Sequence, residues 1–179
     1  MHSQKILSYL SKRRVMEIDE IQVALANSKL IFVKNLGGRS TAAGIAKLLA
    51  TCSSFSGRKV LLCDTAGLAV KEVEGKATND DLGLSIASSD TGIDILLGYD
   101  TINGITFFTA ADFKNKIEKL LEKYDQIFVC SSKEQGTAGL MALKQFNPKL
   151  VLLARLRKTR KVDLQKIKGI QPIGILLHD

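Results

Sequence analysis

No apolar run in this 179-residue sequence approaches the roughly 18 residues that cross a bilayer, so a membrane-inserted chain is not expected. Behind the basic residues near the N-terminus there is no continuous apolar core, so a secretory signal is not expected either. Cysteine is scarce. Cys52, Cys63 and Cys130 are an odd three without metal-ligand spacing, and two of them lie in strand-like runs. They read as buried, reduced thiols rather than a disulfide framework. Histidine occurs only as His2 and His178, near the two ends, which argues against a zinc site. Aromatic residues make up only 6% of the chain and do not interleave its basic stretches, Lys12-Arg13-Arg14 and Arg155 to Lys168. The net charge of +8 therefore reads first as a solvated basic face and next as a surface for acidic lipid headgroups or an acidic partner. Specific nucleic-acid recognition is not expected.

What is present is an ordinary globular composition, 45% hydrophobic and 25% charged, at a length that suits one domain. The chain is organised around the stretch from Leu30 to Asp64. Leu30-Ile31-Phe32-Val33 has strand length, Lys34 to Thr41 is a small-residue loop, and Ala42 to Ala50 reads as a helix. Val60-Leu61-Leu62-Cys63-Asp64 is a second strand that ends on a carboxylate. Such a strand–loop–helix–strand unit cradles phosphate, because the loop delivers backbone N–H groups at a helix N-terminus. The loop departs from the Walker A pattern G-x-x-x-x-G-K-[ST], matching it only at Gly38 and Ser40. It fits the deviant signature K-G-G-x-G-K-[ST]-T of the MinD/ParA-like group better, with Lys34, Gly38, Ser40 and Thr41 in place. Asn35 and Leu36 replace glycines, and Arg39 replaces the phosphate-binding lysine. Lys34 is thus either the signature lysine or a loop lysine facing solvent.

Around this unit, Gln4 to Asn27 reads as helical with a break near Ser11 to Arg14, and Thr65 to Asp81 as a surface loop. Leu82 to Ala87 and Thr91 to Leu97 read as two short helices, the second capped by Thr91 and Asp94. Ile105 to Thr109 is a third strand, followed by a helix that Asp112 caps and that carries Phe113, Ile117, Leu120 and Leu121 on one face. Gln126 to Cys130 is a fourth strand, Gly136 to Phe146 a helix stopped at Asn147-Pro148, and Lys149 to Ala154 a fifth strand. Thr159 to Lys168 reads as a basic helix and Gln171 to Leu177 as the closing strand. Strands that are apolar throughout and alternate with helices imply a three-layer α/β/α fold on a mostly parallel sheet, P-loop NTPase-like and Rossmann-like. Residues 1–28 then form an N-terminal helical segment on the core, and residues 29–179 the P-loop NTPase-like domain. Ligand sites in such folds lie beyond the carboxyl ends of the strands, where Lys34 to Thr41, Asp64 to Gly67 and Cys130 to Lys133 should converge.

From about Glu17 to Leu177 the sequence resembles the cytoplasmic P-loop domain of bacterial tyrosine kinases of the polysaccharide co-polymerase type. Arg58 to Asp64 resembles that family's strand ending in the Walker A′ aspartate, and Leu82-Gly83-Leu84-Ser85 with Ile95 to Gly98 its "GLS…LSG" segment. Ile102 to Ala110 is similar to "GLxVLPAG", Tyr124 to Val129 to "YDxVIID", and Lys158-Thr159-Arg160 to "GKTR". The resemblance implies that Lys34, Gly37, Gly38, Arg39, Ser40 and Thr41 hold the phosphates of ATP or ADP. It implies Mg²⁺ on Ser40 and Asp64, with Asp64 also the candidate catalytic group. It further implies regulation of exopolysaccharide or lipopolysaccharide chain length and export, beside a membrane-anchored co-polymerase or export protein, with self-association in the family. Localisation would be cytoplasmic, at the inner face of the plasma membrane.

The sequence departs from the family where the chemistry resides. Arg39 stands for the Walker A lysine, and a planar guanidinium does not replace a compact ammonium between phosphate oxygens. Ala66 stands for the second aspartate of D-x-D, and Cys130 for the Walker B aspartate. The tyrosine cluster expected before the C-terminus and the E-x-x-R-x-x-R helix motif are absent from this sequence. The expectation is a degenerate member that binds nucleotide weakly or not at all, against two alternatives: an active ATP-dependent kinase or ATPase, and a MinD/ParA-like positioning ATPase.

Overall fold

The uninterrupted apolar runs become the strands of one sheet. The computed structural model describes residues 17–36, 41–64, 78–79, 84–96, 110–131, 138–155, 159 and 172–178. Strands β1 (Leu30–Asn35), β2 (Val60–Asp64), β6 (Gln126–Ser131), β7 (Lys149–Arg155) and β8 (Gly174–His178) fall on the expected segments within a residue or three. Three more strands, β3 (Thr78–Asn79), β4 (Ser85–Ser88) and β5 (Asp94–Leu96), bring the sheet to eight, in the order β3-β4-β5-β2-β6-β1-β7-β8. From β5 to β8 every pairing is parallel, and β3 and β4 continue the sheet antiparallel. All residues of β1, β2 and β6 are buried, as strands covered on both faces require.

Helices cover both faces. On one side α1 (Ile18–Leu25) and α2 (Thr41–Phe55) bury Ile21, Leu25, Ala46 and Leu49 against Ile31, Leu62 and Phe128. On the other, α3 (Phe113–Lys123) and α4 (Ala138–Leu143) bury Ile117, Leu120 and Leu143 against Phe32, Leu61 and Val129. In α1 the carboxylate of Glu20 accepts from the Glu17 N–H at 3.0 Å, and Asp19 and Glu20 place negative charge on the positive end of the helix.

The expected helices at Leu82 to Ala87 and Thr91 to Leu97 are instead the antiparallel hairpin β4–β5. Ile95 lies beside Leu62 of β2 and Ile86 beside Leu96, so each half finds a ladder partner that neither could use as a single helical turn. Thr91 does not cap a helix. It stands in the connecting turn, where its hydroxyl meets that of Ser89 at 2.9 Å and Gly92 takes a left-handed φ of 74°. Ser54 Oγ of α2 donates to Gly92 O at 3.1 Å and pins this turn to the helix layer. Three smaller differences follow the same logic of local competition. Asp112 occupies the N-cap position of α3 but makes no side-chain cap; its carboxylate takes Lys116 Nζ at 2.8 Å, and that bond holds its carboxyl below the usual range. The helix expected from Gly136 to Phe146 is α4 followed by a 3-10 turn, Lys144–Phe146, which Asn147 ends in the left-handed conformation. Within the expected loop from Thr65 to Asp81, Thr78–Asn79 is strand β3. The expected strand at Ile105 to Thr109, the helix through residues 4–16, and all of the basic helix after Thr159 lie outside the described residues.

One buried amide ties the layers together. Gln126 is 2% exposed, and its Nε2 donates to Leu25 O and Ser28 O, both at 2.9 Å. It closes the chain reversal between α1 and β1 onto the start of β6. Gln126→Leu leaves the Ser28 carbonyl without its donor, while Leu25 O keeps the Ser28 N–H at 2.9 Å, and is expected to lower stability by about 1–2 kcal/mol, read as a shift in the urea midpoint at constant slope. An unchanged midpoint would show that water replaces the amide.

Candidate functional site at the carboxyl edge of the sheet

Strands β1, β2 and β6 are neighbours, and their carboxyl ends carry half of the described polar residues that the core admits. Lys34 (4% exposed), Asn35 (3%), Asp64 (1%) and Ser131 (1%) stand in one row across this edge. Register pairs Lys34 with Ser131 and Asp64 with Cys130. Leu36 N donates to Leu153 O at 2.9 Å, so the chain leaves β1 held against β7. Thr159 is also buried among the described residues.

Alternation along the strands sorts these groups by face. Asp64 follows Val60 and Leu62, and Cys130 follows Phe128, onto the side that α2 covers. Lys34 follows Leu30 and Phe32 onto the opposite side, as Ser131 follows Val129. The edge therefore does not gather all the expected residues into one cluster. It brings Cys130 to Asp64, and it sets Lys34 beside Ser131. Lys34 is neither in the loop nor facing solvent: it is the fifth residue of β1, because pairing with β6 and β7 on both sides carries the strand through Asn35.

The Asp64–Cys130 contact is the chemical centre of the row. Cys130 Sγ donates to Asp64 Oδ1 at 3.3 Å and lies 3.8 Å from Cys63 O. On the far face, burial pushes the Cys63 thiol up to about 12, with the neighbouring Asp64 charge adding to it. Ser131 Oγ is buried without a hydrogen-bond partner. No group of three or more His, Cys, Asp or Glu side chains that could hold a metal occurs among the described residues. The backbone of Thr41 opens α2, whereas Gly37, Gly38, Arg39 and Ser40 lie outside the described residues, as do Ala66 and Lys133.

Several solved structures share this fold. The kinase domain of VpsO superposes with a TM-score of 0.68 at 16% identity, over 89% of this chain and 90% of that one. The BceF tyrosine kinase domain gives 0.67 at 16% identity, over 89% and 73%, and the kinase domain of the Escherichia coli tyrosine kinase ETK gives 0.63 at 14%, over 89% and 71%. The fold is that of bacterial tyrosine kinase domains. Cobyrinic acid a,c-diamide synthase from Mycobacterium smegmatis, solved with ADP and magnesium, superposes on this chain less closely, with a TM-score of 0.54 at 14% identity over 82% of this chain and 71% of that one. Comparison with protein families and with curated proteins finds no match.

Within this fold the sequence alone placed Asp64 and Cys130 on strand ends that converge at one edge. It missed that they touch. The signal was available in their positions, since each stands at the carboxyl end of an apolar run, but only the β2–β6 register makes them partners.

Proposed function

We propose that this chain is a P-loop domain of the tyrosine kinase and polysaccharide co-polymerase type that has lost phosphoryl transfer. It serves as a regulatory and interaction module in bacterial exopolysaccharide or lipopolysaccharide biosynthesis and export, working with a membrane-anchored co-polymerase or export protein. The observation that carries this reading is the Cys130–Asp64 contact. A hard cation such as Mg²⁺ takes oxygen ligands, and a thiol is a soft one. Cys130 supplies no oxygen, and it occupies one lone pair of the Asp64 carboxylate at 3.3 Å. The donor set therefore fits a Mg–nucleotide only in part. Asp64 and Ser40 remain the oxygen donors for a metal, and Lys34, Gly37, Gly38, Arg39, Ser40 and Thr41 the groups for ATP or ADP phosphates, if nucleotide is held at all.

The likeness to kinase domains and the retention of Asp64 favour a second reading, an active kinase or ATPase that uses Arg39 and Asp64 in an unusual arrangement. A MinD/ParA-like dimer would need Lys34 to reach a neighbouring subunit's phosphate, and its burial at 4% exposure disfavours that. ATP hydrolysis by the intact chain and by Asp64→Ala separates the first two. The proposal expects both proteins to sit at the same background rate. Loss of a preorganised electrostatic group in a working site costs about 10²–10³ in rate, so hydrolysis that falls by that factor in Asp64→Ala establishes the enzyme instead.

A further inference from the structure

We propose that the amino-terminal edge of the sheet, opposite the phosphate loop, docks onto an anionic lipid bilayer with Phe55 as its apolar anchor. Among the described residues the two most exposed large apolar side chains are Phe55 and Val23, each 78% exposed, and both belong to the α1–α2 layer. Phe55 ends α2, and the tight turn after it, with Gly57 at a left-handed φ of 81°, leads straight into Arg58, Lys59 and the start of β2. It therefore protrudes at the rim of the edge.

That rim is basic. Lys59 precedes β2, Lys29 precedes β1 and Lys149 opens β7; all three are exposed, and Arg58 is half-buried. The strand order β2-β6-β1-β7 sets them in a row, fixed by Gln126 N donating to Lys59 O at 3.3 Å and Ile127 N to Lys29 O at 2.8 Å. The acidic residues at this edge are Asp125, whose carboxylate is engaged by the Lys59 N–H at 2.8 Å, Asp94 at the start of β5, which accepts from Tyr124 OH at 2.8 Å, and exposed Asp90 in the β4–β5 turn. Lys59 Nζ lies 5.2 Å from the Tyr124 ring centre, which keeps the ammonium at the rim.

An exposed aromatic at the end of a row of cations on short strand-end loops matches the headgroup region of a bilayer. There the ring enters the acyl boundary while the cations meet lipid phosphates. An acidic protein would need a shaped pocket of its own for Phe55, whereas a bilayer takes the ring without one. No helix among the described residues is long and apolar enough to cross a membrane, so the contact is peripheral. It does not depend on whether the phosphate loop holds nucleotide.

The chain contains no tryptophan, so Phe55→Trp supplies a single reporter at the anchor. With phosphatidylglycerol-containing vesicles its emission is expected to shift to the blue and to be quenched by brominated acyl chains, with neither change on pure phosphatidylcholine. In co-sedimentation the intact chain should bind the anionic vesicles and release at high salt. Lys29→Glu with Lys149→Glu should weaken binding by about tenfold or more. Lys114→Glu with Lys119→Glu, the same charge change on exposed α3, should leave it unchanged. An unquenched reporter, equal losses in the two double variants, or salt-sensitive dimers or acidic-protein complexes without vesicle binding would overturn the proposal.

Discussion

Phe128→Ala is expected to destabilise the protein by about 4 kcal/mol, within the 3–5 kcal/mol that a buried phenylalanine truncation costs. Phe128 is fully buried at the middle of β6, flanked in register by Ile31 of β1 and Leu62 of β2, and it packs beneath α2. Truncation empties a space bounded on both sides by strands and above by a helix. Strands locked by two ladders each cannot close in to fill it, which keeps the cost well above the lower end of the range. For a domain of this size the melting temperature should fall by roughly 8–16 °C. A fall of less than half that would mean that α2 moves down onto the sheet and that the helix layer is looser than its packing implies.

Alkaline pH should produce the other large effect, through Cys63. In the unfolded chain this thiol ionises near its ordinary value of 9.0, whereas burial, reinforced by Asp64, pushes it up to about 12 in the folded protein. The folded state therefore holds a proton that the unfolded state releases, and stability falls as pH rises. It is intact below pH 9 and is lost progressively towards pH 12. Three pH units at 1.36 kcal/mol each come to roughly 4 kcal/mol when the loss is complete. Urea unfolding in reducing buffer at stepped pH values reads this directly. Cys63→Ala should lose stability less steeply than the unmodified chain above pH 9, by about 1.4 kcal/mol per pH unit. Contributions common to both proteins cancel in the difference. Parallel curves would show that the thiolate is accommodated at the sheet edge, as a more open site around Asp64 would allow. Because burial is the larger cause, Asp64→Asn should leave most of the slope in place.

The two results bear on different parts of the fold. Phe128 measures how rigidly the α2 side is packed, which is the side where Asp64 and Cys130 meet. Cys63 measures how dry the same strand end is on its other face.

Much of this architecture is written locally. Leu30 to Val33, Val60 to Cys63, Ile127 to Val129 and Leu150 to Ala154 are apolar at every position and too short for buried helices, the pattern of strands covered on both faces. Phe113, Ile117 and Leu120 repeat at helical spacing, so α3 and its buried face could be read without a partner. The identity of the edge residues Lys34, Asp64 and Cys130 was equally legible, because they end those runs.

Segments with too little pattern of their own took their form from their neighbours. Ser85–Ser88 and Asp94–Leu96 span seven residues between them, shorter than a stable helix, and they become strands because β2 offers an unpaired edge for β5 and β5 one for β4. The loop lysine became a strand lysine for the same reason, since β6 and β7 extend the ladder through Lys34 and Asn35. Which polar groups meet is likewise a matter of register. A one-residue slip between β2 and β6 would put Asp64 beside a valine or a serine rather than a thiol. Local sequence determined which segments form the sheet and what stands at its edge. The tertiary structure decided which face each edge residue takes and which neighbour it touches, because strand pairing is a contact between distant parts of the chain that no single stretch encodes.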